Sequence, residues 1–167
     1  IIIHMTILVI VESPAKCSKI QKYLGPNYIV KASFGHICNL NKKKGIKAID
    51  ITNNFNPNYI NIREKAKVIA SLQSISKKCS DVIIASDLDR EGEAIGYHLV
   101  RILGLDILTT KRIVFNEISK KAIVKAVQNY TYLDLNKIHS QQARQIIDYL
   151  IGFSISPLLW KYVTNKL

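Results

Sequence analysis

From Thr6 the chain reads Thr-Ile-Leu-Val-Ile-Val and then breaks abruptly at Glu12-Ser13-Pro14. A short, unbroken, β-branched run is the mark of a strand buried on both faces, and parallel sheets covered by helices produce such strands. Ser13 can cap a helix and Pro14 suits its first turn. A helix is therefore expected through Ile20, Tyr23 and Leu24, with a stop at Gly25-Pro26. Glu12 is thereby placed at the carboxyl end of a buried strand, where open α/β sheets carry their sites.

The same grammar recurs along the chain. Strands are expected at Tyr28 to Ser33, Val82 to Ser86 and Arg112 to Phe115. Arg63 to Lys78 carries Val68, Ile69, Leu72 and Ile75 at helical spacing, a second helix runs through Ile95, Leu99 and Leu103 to Gly104, and a third follows a cap at Ser119. Residues 39 to 61, rich in Asn and containing Lys42-Lys43-Lys44, read as a polar excursion with at most short local structure. This order predicts an α/β domain with a mainly parallel sheet. After about residue 130 the pattern changes: Asn136 to Ile151 and Ser154 to Val163 read as two helices separated near Gly152, with no strand between them, opening a separate helical unit or capping the first. Residues 1 to 5 read as a vector-derived lead ending in the initiator Met5 and are set aside.

The net charge of +12 is unevenly spread. Residues 1 to 80 hold 13 basic and 3 acidic groups, and the remainder 11 and 9. Five of those nine acids, Asp81, Asp87, Asp89, Glu91 and Glu93, fall in one short stretch. A basic protein that gathers its acids in one place suits a polyanion partner and a local cation. The apolar runs fall far short of the roughly 20 residues of a membrane span, so no membrane partner is expected. Cys17, Cys38 and Cys79 have no CxxC spacing, which argues against a disulfide framework or zinc and for a reducing compartment, the cytoplasm.

Asp87 and Asp89, at i and i+2 on an extended strand end, point the same way, with Glu91 one step further along. An oxygen-only cluster suits a hard cation, and magnesium accepts one or two carboxylates while keeping waters that phosphate oxygens can replace. Glu12 joins the cluster if the strand at Val82 lies beside the one at Ile7. The alternative is a charged loop leading into a helix whose dipole favours acids.

Several blocks decide between these: Val9-Ile10-Val11-Glu12-Ser13-Pro14-Ala15-Lys16, Ser33-Phe34-Gly35-His36, Ala85-Ser86-Asp87-Leu88-Asp89-Arg90-Glu91-Gly92-Glu93-Ala94-Ile95, Phe115-Asn116-Glu117-Ile118, and Gln141-Gln142-Ala143-Arg144 through Ser156-Pro157-Leu158-Leu159-Trp160-Lys161. In this order they closely resemble the amino-terminal region of type IA DNA topoisomerases, the bacterial topoisomerase I group in particular, from Thr6 onward. The resemblance implies a Rossmann-like Toprim domain over residues 6 to 130 and, over 131 to 167, the truncated start of a helical DNA-binding domain. It implies a catalytic Mg2+ site made by Glu12, Asp87, Asp89 and Glu91. The family reaction is a reversible, ATP-independent transesterification. A tyrosine attacks a single-strand phosphodiester, keeps the 5′ phosphate and frees a 3′ hydroxyl that reseals the strand after another has passed.

By the same resemblance Lys16 sits beside the scissile phosphate. Glu12 exchanges a proton with the 3′ oxygen, a role that needs neighbouring carboxylates to favour its protonated form. His36 contacts DNA, and Arg144 binds phosphate with Asp148 orienting it, although an i,i+4 ion pair is their ordinary role. Phe153 and Trp160 either stack on bases or pack the helices, packing being the usual role of aromatics at such spacing. Gln145 stands where a second arginine is common and Phe153 where tyrosine is common, so both contacts lose a phosphate donor. None of the eight tyrosines stands in the Tyr-x-Arg-Thr context of the family nucleophile.

The expectation is a monomeric fragment that binds magnesium and single-stranded regions of DNA, works with the remaining domains of its polypeptide, and does not cleave alone. The alternatives are a Toprim-type nuclease or primase, and a non-catalytic DNA-binding module. Abundant Ile, Lys and Asn suit an AT-rich genome. A bacterial nucleoid or the host cytoplasm of a large DNA virus would be the location.

Overall fold

The computed structural model describes residues 6–163. The readings made for residues 1 to 5 and for the chain end at 164 to 167 lie outside the described residues. In chain order the elements are β1 (Ile7–Val11), α1 (Pro14–Leu24), β2 (Tyr28–Ala32), β3 (Cys38–Leu40), β4 (Ile49–Asp50), β5 (Asn56–Pro57), β6 (Tyr59–Asn61) and α2 (Ala66–Ser76). They continue as β7 (Asp81–Ala85), α3 (Arg90–Leu103), β8 (Lys111–Ile113), α4 (Lys120–Gln128), β9 (Thr131–Tyr132) and α5 (Leu135–Tyr162). Two 3-10 helices, Lys42–Ala48 and Arg63–Lys65, complete the set.

The central sheet has the order β2-β1-β7-β8-β9, parallel throughout except at β9. β1 is buried on both faces, as its composition predicts. Leu8 and Ile10 pack with Leu72, Ile84, Leu99 and Ile138 on one side, while Val9 and Val11 pack with Ile20, Ile83, Ile113 and Ile123 on the other. At roughly 1.5–3 kcal/mol for each such side chain, β1 is a strand where a polar substitution is costly. The first core is covered by α2, α3 and the start of α5, and the second by α1 and α4. Helices on both faces make this an α/β fold with a mainly parallel sheet.

Strand ends differ from expectation by a residue or two, and the ladders explain why. β8 stops at Ile113 because its partner Ala85 is the last residue of β7. β2 stops at Ala32, opposite Val11, for the same reason. Ser119 caps α4 by accepting from the Ala122 N–H at 3.2 Å, as predicted. Ser13 holds the N-cap position of α1 but makes no side-chain capping bond, since its own carbonyl accepts from Lys16 N–H at 3.2 Å.

The polar excursion forms two small antiparallel ribbons, β3 with β6 and β4 with β5. The segment after residue 130 departs from expectation. β9 pairs with β8, and the two helices expected around Gly152 are one helix of 28 residues. An interior glycine costs roughly 1 kcal/mol, too little to break a helix that tertiary contacts hold. Tyr149 supplies one such contact by donating its hydroxyl to Gly45 O at 2.9 Å, and the Phe153 ring packs against Gly45 as well. No helix among the described residues is long and apolar enough to cross a membrane.

Candidate metal and nucleic-acid site

The chain leaves β1 toward β2 on one side and leaves β7 toward β8 on the other, so the strand order reverses between β1 and β7. Loops diverging from such a point open a crevice at the carboxyl ends of the strands. Register puts Val11 opposite Ala85, so the residues that follow meet there. The Asp87 N–H donates to Glu12 Oε1 at 2.9 Å, and Lys16 Nζ donates to Asp87 Oδ1 at 3.2 Å. Glu12 thus meets the acidic segment, as the strand-order condition required.

The other two acids face separate partners. Asp89 is the N-cap of α3, its Oδ1 accepting from Gly92 N–H at 2.7 Å. Glu91 is already helical, so it does not continue the line of Asp87 and Asp89. Its Oε2 lies 3.0 Å from His36 Nε2, and its Oε1 accepts from Gln141 Nε2 at 3.5 Å. Among the described residues no group of three or more His, Cys, Asp or Glu is gathered closely enough to hold a metal. The site comprises a Glu12–Lys16–Asp87 half and a His36–Glu91 half at the same end of the sheet.

Of the five clustered acids, two serve elsewhere. Asp81 lies at the opposite end of β7, where it pairs with Lys111 at 2.6 Å. Glu93 is buried, because an i,i+2 step on a helix turns it away from Glu91. It pairs with buried Arg112 at 3.1 Å and accepts from Asp134 N–H at 3.2 Å. Arg112 also donates through Nη2 to the Asp87 carbonyl at 2.7 Å and through Nε to Ser86 Oγ at 3.2 Å. This pair ties β7, α3, β8 and the start of α5 together beneath the acidic loop. Sequence reasoning missed it, although the signal was present: an arginine inside an apolar strand needs a buried acceptor. Gly92 is equally constrained, since a Cβ there would overlap the Asp87 carbonyl oxygen.

A groove of about 1420 Å3 runs from Glu91 along α5, and Arg144, Gln145, Asp148, Phe153 and Trp160 all line it. Arg144 and Asp148 form the expected i,i+4 pair at 3.7 Å, both side chains largely exposed. Tyr59 donates its hydroxyl to Gln145 Oε1 at 2.8 Å. Phe153 and Trp160 are 46% and 66% exposed, and the Phe153 ring rests on Gly45. The opposite wall adds Lys42, Lys43 and Arg63, which the sequence reading did not single out. Beneath the wall His98 stacks edge-on against Tyr59 at 4.4 Å. Burial lowers the His98 pKa to about 4 and raises that of Tyr59 to about 12, so both stay neutral near pH 7.

The chemistry such a site can perform is limited by these contents: hard oxygen donors and a lysine at the switch point, opening into a groove with cationic and aromatic walls. Residues 7–118 match the family of the Toprim domain. The chain also superimposes on full-length topoisomerase I from Thermotoga maritima with a TM-score of 0.84 and 42% identity, over 92% of this chain and 26% of that one. It therefore spans about a quarter of the length of that relative. The chain belongs to the Toprim family, and its Toprim domain is of the kind that forms the amino-terminal region of type IA topoisomerases.

Proposed function

We propose that this chain supplies the metal-binding and strand-holding part of a type IA topoisomerase, an isomerase that cuts one DNA strand, passes another and reseals the first without ATP. The nucleophilic tyrosine, which holds the 5′ phosphate, comes from residues outside this chain, so the chain alone binds Mg2+ and DNA and does not cleave. The observation that carries this is the contact of Glu12 with the Asp87 main chain, which joins the loop after β1 to the acidic loop after β7, the loop from which Glu91 reaches the α5 groove.

Glu12, Asp87, Asp89 and Glu91 are the residues that would hold Mg2+. As hard oxygen donors they suit the ion in kind, and because they stand in two separate halves they would have to close on it together; Asp87 and Glu91, 59% and 60% exposed, are accessible to a hydrated ion. Bound there, the ion would offset negative charge on the reacting phosphate. Lys16 swings from Asp87 to a phosphate oxygen and contributes a second positive charge. Glu12 gives a proton to the departing 3′ oxygen and takes it back on resealing. His36, released from Glu91, donates to the backbone, and Arg144 fixes the strand by phosphate while Asp148 holds its guanidinium. Phe153 and Trp160 offer ring faces to bases.

Magnesium titration with a thermal melt tests this. A ligand at about 100 times its Kd stabilises by roughly 2.7 kcal/mol, so the wild-type midpoint rises, and Asp87→Asn with Asp89→Asn abolishes the rise. Arg144→Ala weakens binding of a single-stranded oligonucleotide and leaves the midpoint unchanged, because exposed pairs contribute only about 0–1 kcal/mol. Absence of a magnesium shift, or unchanged oligonucleotide affinity in Arg144→Ala, sinks the proposal.

A further inference from the structure

Phe34 adopts a φ of 60°, in the left-handed region, and is 49% exposed. Left-handed backbone crowds the Cβ of an L residue against the next carbonyl, and a ring only half buried offsets little of that strain. Among the described residues two other non-glycine positions share the feature, Asn54 and Phe55, but they lie in the loop that reverses the chain between β4 and β5. Phe34 joins β2 to β3, which lie in different sheets, so no hairpin demands its conformation.

The strain is maintained from both sides. Ser33 N–H donates to Val11 O at 2.8 Å, and Gly35 N–H donates to Glu12 O at 3.2 Å, clamping the segment to the end of β1. Lys65 donates to the Phe34 carbonyl at 2.7 Å, and its Nζ lies over the ring at 5.4 Å from the centroid. The segment is therefore held against the end of β1, two residues from His36, which faces Glu91 at 3.0 Å. Its neighbours His36 and Lys65 suit a polyanion better than the apolar face of a protein.

We propose that Phe34 is a base-stacking platform, taking the π face of one unpaired nucleobase whose phosphate lies toward Glu12 and Lys16. This rests on the strand-holding function above and names the part of the strand that this residue binds. A pre-set aromatic gains affinity because its ordering cost was met on folding.

The test compares two fluorescent single-stranded probes of equal length, one carrying bases and one made of abasic linkages with the same phosphates. Phe34→Gly is expected to lose about tenfold in affinity for the base-bearing probe, to bind the abasic probe as the wild type does, and to keep its thermal midpoint because glycine accepts positive φ. Phe34→Trp is expected to retain base-bearing affinity. If Phe34→Gly binds the base-bearing probe like the wild type, or weakens equally on both probes, the platform is refuted. Should Arg144→Ala weaken binding while Phe34→Gly does not, only the platform fails. A wild type that binds neither probe overturns the strand-holding function and the platform with it.

Discussion

Replacing Arg112 by methionine removes a buried cation from the pair that ties four elements together. Glu93 is left with its carboxylate 1% exposed and without its ion-pair partner, and the Ser86 hydroxyl and Asp87 carbonyl each lose a donor. Removing one member of a buried pair costs about 3–5 kcal/mol, out of a total stability of roughly 5–15 kcal/mol. At about 2–4 °C per kcal/mol for a chain of this size, the thermal midpoint should fall by roughly 10 °C. Glu93→Gln in the same chain removes the orphan charge while keeping an amide oxygen for Asp134 N–H, and should recover about 2 kcal/mol. The assay is urea unfolding followed by circular dichroism on the wild type, both single variants and the double variant. If the double variant loses the sum of the two single losses, the residues are not coupled and the buried pair has been misread. A second measurement separates support of the fold from support of the site. The double variant should still show a diminished magnesium shift, because the Asp87 carbonyl remains untethered even when the charge is relieved.

Gly92→Ala should cost about 1–3 kcal/mol and weaken the magnesium shift, since the new Cβ displaces the Asp87 carbonyl; an unchanged melt and an unchanged shift would show that the loop has slack. His98 makes stability pH-dependent in one direction. Its pKa is lowered to about 4 in the fold against 6.5 in the unfolded chain, so its contribution is present above about pH 6.5 and is lost as pH falls toward 4. At about pH 5 the loss is on the order of 2 kcal/mol. Urea midpoints at about pH 7.5 and pH 5 should differ less in His98→Phe than in the wild type, and equal differences would exclude His98 as the cause.

Most of the scaffold is legible in the residues alone. β1, α1, β7 and α3 were legible because burial on two faces, capping chemistry and helical spacing are local signals, and the residues of the acidic loop and of Arg144 to Trp160 stand in contiguous blocks. What only the tertiary structure decided is how those blocks meet. Adjacency of β1 and β7 brings Glu12 to Asp87, a contact between residues far apart in the chain that no periodicity encodes. Five neighbouring acids went four ways: Asp87 and Asp89 stay in the loop beside Glu12, strand length sends Asp81 to the far end of the sheet, and the helical turn after Asp89 sends Glu91 to the groove and Glu93 to Arg112. Gly152 was read as a break because punctuation in sequence is a tendency worth about 1 kcal/mol. Contacts of Tyr149 and Phe153 with Gly45 outweigh that, and α5 continues past Gly152 to form one wall of the groove.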